Sequence, residues 1–409
     1  MQSATQLREL LGGYASEVER CIRCGFCNSV CPTSNIPHAY MGSKTSRGRL
    51  VILQSIITGS RRVELSSKLL DLIDLCFGCR RCLEVCPAGI PIPQIMWSVR
   101  SAANRMGLHH ASWMLKSFIK NYDKLASLAS RFPGLANTIT RSRLGKALAE
   151  RLLGIDRKVE LPAYMPLRHK SSISSQQRLA YFGDVFGLYH EGNFVSRLFG
   201  LLEKLGYGVE VPRGQRQAGI PLLELGLLDE ARAIASRNVE ILSGYVERGY
   251  KILTTSPAAY LALKQDYPKL LDNADSRKVA ENTVDAVQLL NELVGSGGLE
   301  LDSGGRGIVY HSGCFSQATS LSGAIVELLN NAGFKIVGTT QRCCGVAGMW
   351  GLLRKHHETA KQVGSTLFNE LRDAETIVSQ SETCRLWMRS FLGKEILHPV
   401  EAILKYCKA

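Results

Sequence analysis

Twelve of the thirteen cysteines in this 409-residue chain fall into patterns that can hold metal. Residues 21–32 read Cys21-Ile22-Arg23-Cys24-Gly25-Phe26-Cys27-Asn28-Ser29-Val30-Cys31-Pro32, and Cys76, Cys79, Cys82, Cys86 and Pro87 repeat that spacing. Three cysteines with two residues between each let a tight loop wrap one [4Fe–4S] cluster, while the fourth is carried away to the other cluster. The spacing therefore predicts Cys21, Cys24, Cys27 and Cys86 on one centre, and Cys76, Cys79, Cys82 and Cys31 on a second. Structural or zinc cysteines are the alternative, but zinc pairs do not need this doubled pattern. Two such centres store and pass single electrons and offer no open position for a substrate, so no catalytic residue is expected among them.

The remaining cysteines lie near the C-terminus, in His311-Ser312-Gly313-Cys314, Cys343-Cys344-Gly345 and Ser381-Glu382-Thr383-Cys384. Each follows an apolar, strand-like stretch. Strand ends converge at one edge of a parallel sheet, where ligands of α/β folds bind. Thiolates arriving from three loops can enclose a metal cluster. The arrangement resembles the Cys-Cys-Gly domain family, whose five cysteines, in the order Cys…Cys-Cys-Gly…Cys-x-x-Cys, hold a non-cubane [4Fe–4S] cluster. Here Ser381 stands where that pattern has a cysteine. Cys314, Cys343, Cys344 and Cys384 are thus expected to hold a third cluster, with the Ser381 oxygen, His311 or water completing it, and zinc as the other occupant. His311 is read more readily as an orienting histidine than as a ligand. Gly345, Gly348 and Gly351 do not make a dinucleotide fingerprint and are read as close backbone packing. His109-His110 and His356-His357 are read as surface, and Cys407 as an isolated, inert thiol.

The elements that must position these residues fall into four stretches. Residues 1–100 hold the two cysteine runs, separated by apolar residues at helical spacing, as in Arg49 to Ile57 and Leu69 to Leu75. Such a long helical insert resembles the α-helical ferredoxin domains of succinate-dehydrogenase-type and heterodisulfide-reductase-type proteins. Residues 101–175 form a basic spacer that ends in the Ser-rich Ser171 to Ser175. Residues 176–294 and 307–409 each alternate strand-like and helix-like stretches, opening Leu179-Ala180-Tyr181-Phe182 and Ile308-Val309-Tyr310-His311, with Gly295 through Gly307 between them. At an offset of about 125–129 residues the two halves match as a duplicated domain, too long a period for a solenoid. The first copy has Val185 at the position of Cys314, Gln217-Ala218 at that of Cys343-Cys344, and Ala259 at that of Cys384, so it is degenerate and cannot bind a cluster. The expected fold class is therefore α+β multidomain: an α-helical ferredoxin domain, a basic helical spacer, and two α/β Cys-Cys-Gly-type domains.

Composition narrows the functions. Hydrophobic residues make up 45% of the chain, enough for a packed core and against disorder. An odd, clustered set of cysteines behind a polar Met1 to Leu10 argues against an exported disulfide framework. No apolar run approaches the length of a membrane span, so the chain reads as cytoplasmic. The net charge is +14. Residues 101–170 hold 13 Lys/Arg against 4 Asp/Glu. Within residues 110–155, Trp113 to Lys120, Leu125 to Leu128 and Leu144 to Leu153 interleave apolar and basic residues at helical spacing, the pattern of helices lying on an anionic membrane surface. Helices packed on the ferredoxin domain with a solvated basic face are the plainer alternative. Nucleophile–base pairs, a Walker loop and nucleic-acid modules are missing, so nucleic acid is not an expected partner.

Taken together, these features resemble the iron–sulfur subunits of anaerobic glycerol-3-phosphate dehydrogenase, with those of glycolate oxidase and heterodisulfide reductase as relatives. The local matches are Cys343-Cys344-Gly345-Val346-Ala347-Gly348, Glu382-Thr383-Cys384-Arg385-Leu386-Trp387, His398-Pro399 and Asp266-Tyr267-Pro268. The resemblance implies an electron-transfer subunit, peripheral on the inner face of the cell membrane. It would pass electrons from a flavin-containing dehydrogenase, acting on glycerol phosphate or a 2-hydroxy acid such as glycolate or lactate, towards membrane quinone. The competing reading is a disulfide reductase of the heterodisulfide-reductase kind. That reading calls for two intact five-cysteine sites, and this chain has at most one, lacking a ligand.

Overall fold

The computed structural model describes residues 2–36, 42–59, 66–108, 111–169 and 177–407. His109-His110 and the Ser171 to Ser175 stretch lie outside the described residues.

The apolar spacing between the cysteine runs produces the helices Ser46–Ile57 and Ser67–Asp74, whose hydroxyl caps, Thr45 and Ser66, accept the backbone N–H groups of Gly48 and Leu69. With Gln2–Leu11 and Ile92–Arg105 they enclose a core that includes Leu7, Leu50, Leu53, Ile73 and Ile95. The helix Ile92–Arg105 runs across residue 100, where the sequence reading ends its first stretch.

The spacer folds as four short helices, Trp113–Lys120, Tyr122–Ala129, Pro133–Arg141 and Arg143–Leu153. Only part of their apolar surface is buried. Leu115, Ile119 and Ala126 point into the protein, while Trp113, Leu128, Phe132, Leu135, Ile139 and Leu144 are exposed. No helix among the described residues is long and apolar enough to cross a membrane.

The C-terminal half contains two four-stranded, all-parallel sheets. Strands β1 (Gln177–Tyr181), β2 (Tyr207–Glu210), β3 (Lys251–Thr254) and β4 (Thr283–Asp285) lie in the order β2-β1-β3-β4. Strands β5 (Gly307–His311), β6 (Lys335–Thr340), β7 (Ile377–Val378) and β8 (Ile396–Leu397) repeat that order as β6-β5-β7-β8. Parallel pairing needs helical crossovers, and these cover the sheets and bury the Leu-, Ile- and Val-rich strands. One core runs through both units, joining Leu179, Phe199 and Leu290 to Tyr310, Ile325 and Leu397.

Buried polar contacts fix the two units against each other. Gln380 donates to Asp285 Oδ1 at 2.9 Å, the His398 ring Nε2 meets the Thr255 carbonyl at 2.9 Å, and Arg385 pairs with Glu191. The ferredoxin unit is locked on by equally buried groups. Arg80 Nη2 lies 2.6 Å from Asp266 Oδ2, and Arg100 donates to the Glu224 carbonyl at 2.6 Å.

Candidate metal centres

The first cysteine run curls through two left-handed backbone positions, Arg23 (φ 58°) and Gly25 (φ 89°), and the second does the same at Gly78 (φ 63°) and Arg80 (φ 65°). Each loop spends one glycine and one arginine on the same two bends, in swapped order. The arginines, which carry a Cβ penalty there, are tied down: Arg23 Nε donates to Gln54 Oε1 at 2.7 Å, and Arg80 is held by Asp266 and lies over the Trp97 ring, 5.3 Å from its centroid.

These curls bring eight cysteines into two groups. Cys21, Cys24, Cys27 and Cys86 line one small pocket, floored by Leu50, Ile90 and Ile92. Cys31, Cys76, Cys79 and Cys82 line a second, with Phe77, Arg49 and Arg80. In each group the fourth cysteine comes from the opposite run. All thirteen cysteines are free thiols.

The walls suit a buried anion. Arg49 is buried, with Nη2 3.5 Å from Cys31 Sγ and Nε without a hydrogen-bond partner. Arg80 is buried too, with Nε and Nη1 unpartnered. Burial pushes the Cys27 thiol up to about 11 and the Cys79 and Cys82 thiols well up, each helped by neighbouring sulfurs. Thiols gathered like this ionise together only around a cationic core, and a four-thiolate iron–sulfur cluster supplies that core while remaining an anion overall for the guanidiniums to balance.

The C-terminal cysteines converge at the carboxyl ends of β5, β6 and β7. Cys314 opens the helix Cys314–Ala318, Cys343 and Cys344 lie in the loop after β6, and Cys384 lies in the first turn of the helix Glu382–Leu392. The Cys344 and Cys384 sulfurs are 3.0 Å apart, and the Gly345 N–H donates to Cys343 Sγ at 3.3 Å. Gly345 is obligatory for packing: at φ 89°, a Cβ there would sit 2.0 Å from the Ala360 carbonyl oxygen of the helix His357–Glu370. Burial and the neighbouring Cys79, Cys384 and Cys343 sulfurs drive the Cys314 thiol well up.

Ser381, the residue before that helix, is buried beside Gly313, where a Cβ would come 3.3 Å from Ser381 Cβ. His311 has both ring nitrogens engaged, Nδ1 with Ser379 Oγ at 2.9 Å and Nε2 with the Arg342 carbonyl at 3.0 Å. Burial lowers its pKa to about 4, so it is neutral and orients the Cys343 loop. Among the described residues, no three His, Cys, Asp or Glu side chains are gathered tightly enough for a single metal ion.

This site adjoins the second cysteine cavity. Cys79 and Cys343 pack in one small cluster with Phe77, Ala347 and Trp350, and the Phe77 and Trp350 rings are 4.8 Å apart. Glu224, ending the helix Ile220–Glu224, reaches between the two: Oε1 would lie 3.6 Å from a Cβ on Gly78, and Oε2 2.7 Å from one on Gly348. Burial pushes its carboxyl up to about 8, against Arg100 and Arg80.

In the first sheet unit the matching positions carry no cysteine and are packed by other groups. Asp184 Oδ1 accepts the Ala218 N–H at 2.9 Å, Tyr267 donates to the Ala218 carbonyl at 3.1 Å, and Val185 and Ala259 are buried.

His356 and His357, expected on the surface, are packed instead. The His356 ring stacks on Trp350 at 4.1 Å, and His357 is buried edge-on to Trp387 at 5.2 Å, because the first turn of the helix His357–Glu370 folds back over the Cys-Cys-Gly loop. Sequence reading also missed Arg49, Arg80 and Glu224. The only local sign was Arg80 inside the motif Cys79-Arg80-Arg81-Cys82.

Comparison with known proteins agrees with this layout. Residues 17–90 match the 4Fe-4S dicluster domain, and residues 308–389 match the cysteine-rich domain. One subunit of the anaerobic glycerol-3-phosphate dehydrogenase of Escherichia coli (strain K12) is 26% identical, over 93% of this chain and 96% of that protein. The glycolate oxidase iron-sulfur subunit of the same organism is 24% identical over 98% of both chains. The chain is similar to these proteins along nearly its whole length. One subunit of the dihydromethanophenazine:CoB--CoM heterodisulfide reductase of Methanosarcina barkeri (strain Fusaro / DSM 804) is 24% identical over 81% of this chain and 78% of its own. The chain thus carries an N-terminal ferredoxin-type domain and a C-terminal cysteine-rich domain, and the resemblance read from its motifs holds.

Proposed function

We propose that the chain is the electron-transfer iron–sulfur subunit of a flavin-dependent dehydrogenase. Cys21, Cys24, Cys27 and Cys86 hold one [4Fe–4S] cluster and Cys31, Cys76, Cys79 and Cys82 a second. Cys314, Cys343, Cys344 and Cys384 hold a third group, with Ser381 adjacent. Such clusters, when bound, accept and release one electron at a time. The residues around them shape, bury and charge-balance the route. The observation that carries the proposal is the shared packing of Cys79 and Cys343 with Phe77 and Trp350, which supports a continuous route from the second thiol group to the third.

The partner flavoprotein would oxidise glycerol 3-phosphate or a 2-hydroxy acid such as glycolate or lactate, and electrons would leave towards membrane quinone. Support for the membrane comes from the spacer, where exposed Trp113, Phe132, Leu135, Ile139 and Leu144 stand among exposed Lys124, Arg131, Arg141 and Arg143. That face matches an anionic lipid surface in both polarity and charge. Disulfide reduction is disfavoured because the degenerate unit fills its would-be site with Asp184, Tyr267 and Val185.

Anaerobically purified protein should contain about eight iron atoms in two cubane clusters, plus a further signal from the C-terminal site, by metal analysis and EPR. About eight iron atoms with one zinc would remove the third cluster. Disulfide reductase turnover by the isolated chain would overturn the electron-carrier reading.

A further inference from the structure

A roomy cavity distinct from the thiol pockets shares a wall with one of them. It has a volume of ≈ 640 Å³, within the roughly 300–1,000 Å³ range of small-molecule sites. Cys76 and Phe77 line both this cavity and the second cysteine pocket. At that end stand Trp350, whose indole N–H is buried without a partner, the stacked His356 ring, and the polar groups Arg100 and Glu224. At the other end the lining passes to Met114 and Leu115 of the first spacer helix and Leu152 and Leu153 of the last. Met114 and Leu152 are themselves exposed, so the cavity opens on the apolar, basic face assigned above to the membrane.

We propose that this cavity binds a lipid-soluble quinone, ring inward against Phe77 and Trp350, tail leaving between Met114 and Leu152. The inference rests on the electron-carrier reading and gives it an exit. A mostly apolar chamber with aromatic walls and a few convergent polar groups suits a flat ring carrying two carbonyl oxygens. Its position suits a lipid-borne ring, since the opening lies on the face assigned above to the membrane surface, at headgroup level where water is also within reach. In the step itself the quinone is reduced to the hydroquinone. It gains two electrons, delivered singly from the partner dehydrogenase's oxidation of its substrate, and two protons from water reaching the cavity mouth. No bond to the protein forms or breaks.

The test uses decylubiquinone as probe and the anaerobic, cluster-loaded full chain. Calorimetric titration should show saturable binding without membranes, and Met114→Trp and Leu152→Trp, both at the exposed mouth, should each weaken it by about tenfold or more. EPR spectra unchanged from wild type would show that these variants still fold around their clusters. Dithionite-reduced wild-type protein should be reoxidised by decylubiquinone, more slowly in either variant. Equal affinity in the variants, or equal uptake of a phospholipid of similar tail length, would overturn the quinone site. If ferricyanide reoxidises the wild type and decylubiquinone does not, the quinone site falls and the electron carrier stands. Protein that takes up no reducible cluster removes both.

Discussion

Arg80 and Asp266, 186 residues apart, meet at 2.6 Å with both side chains almost fully buried. Removing one member of such a pair strands a charge in the interior and costs about 3–5 kcal/mol, whereas removing both costs far less than the sum. Asp266→Leu should therefore destabilise the protein by that amount in anaerobic denaturant unfolding. Arg80→Gly, which copies Gly25 of the sister loop and suits φ 65°, should add little on the Asp266→Leu background. Additive losses would show that the pair is not the source. The grouping of the cysteines was legible because spacing encodes how a loop wraps, and even the exchanged fourth cysteine of each pocket follows from it. Asp266 as the partner of Arg80 was not, because nothing local ties a carboxylate in the degenerate unit to a loop in the ferredoxin unit. Glu224 escaped notice for the same reason, sitting in an otherwise apolar Pro221-Leu222-Leu223-Glu224 turn.

At the scale of elements, the spacer helices are the feature that packing alone does not explain. Ten of the fourteen large apolar side chains exposed among the described residues lie between Trp113 and Leu152, and a patch that concentrated marks an interaction surface. Leu144 is 85% exposed and Leu148 56%, so both can change without disturbing the core. Each leucine taken from water into lipid contributes about 1.5–3 kcal/mol. Leu144→Ser with Leu148→Ser should thus lower binding to anionic vesicles by about a hundredfold or more in flotation assays. Undiminished binding would reject the spacer as the membrane face. The amphipathic pattern was readable from the sequence, and so were the parallel sheets, because strand-like and helix-like stretches alternate. The cavity between the first and last spacer helices was not, since its inner wall is built from Trp350, His356 and Glu224, far along the chain.

Across the whole molecule, the two sheet units behave as one body because their junction is polar as well as apolar. Asp285 caps the helix Ala286–Gly295, accepts from the Val287 N–H, and takes the Gln380 amide of the other unit at 2.9 Å. Burial pushes its carboxyl from 3.8 up to about 7, against those hydrogen bonds. The folded protein therefore keeps a proton that the unfolded chain has released, and this group's contribution to stability falls as pH rises from about 4 to about 7. Glu382, pushed to about 8 chiefly by burial, slopes the same way, so the informative quantity is the difference between proteins. Asp285→Asn should flatten the decline of the urea midpoint across that window, and an unchanged slope would exonerate Asp285.

The exchange of Cys31 and Cys86 between the two thiol pockets has a consequence for how the protein is made. Neither pocket can be completed from a single stretch of nascent chain. The pocket of the first run gains its fourth cysteine only once Cys86 has been synthesised and folded back, and the pocket of the second run takes its fourth from Cys31. Assembly of the two pockets is therefore one event of chain folding: the two runs must meet before either pocket has its four thiols.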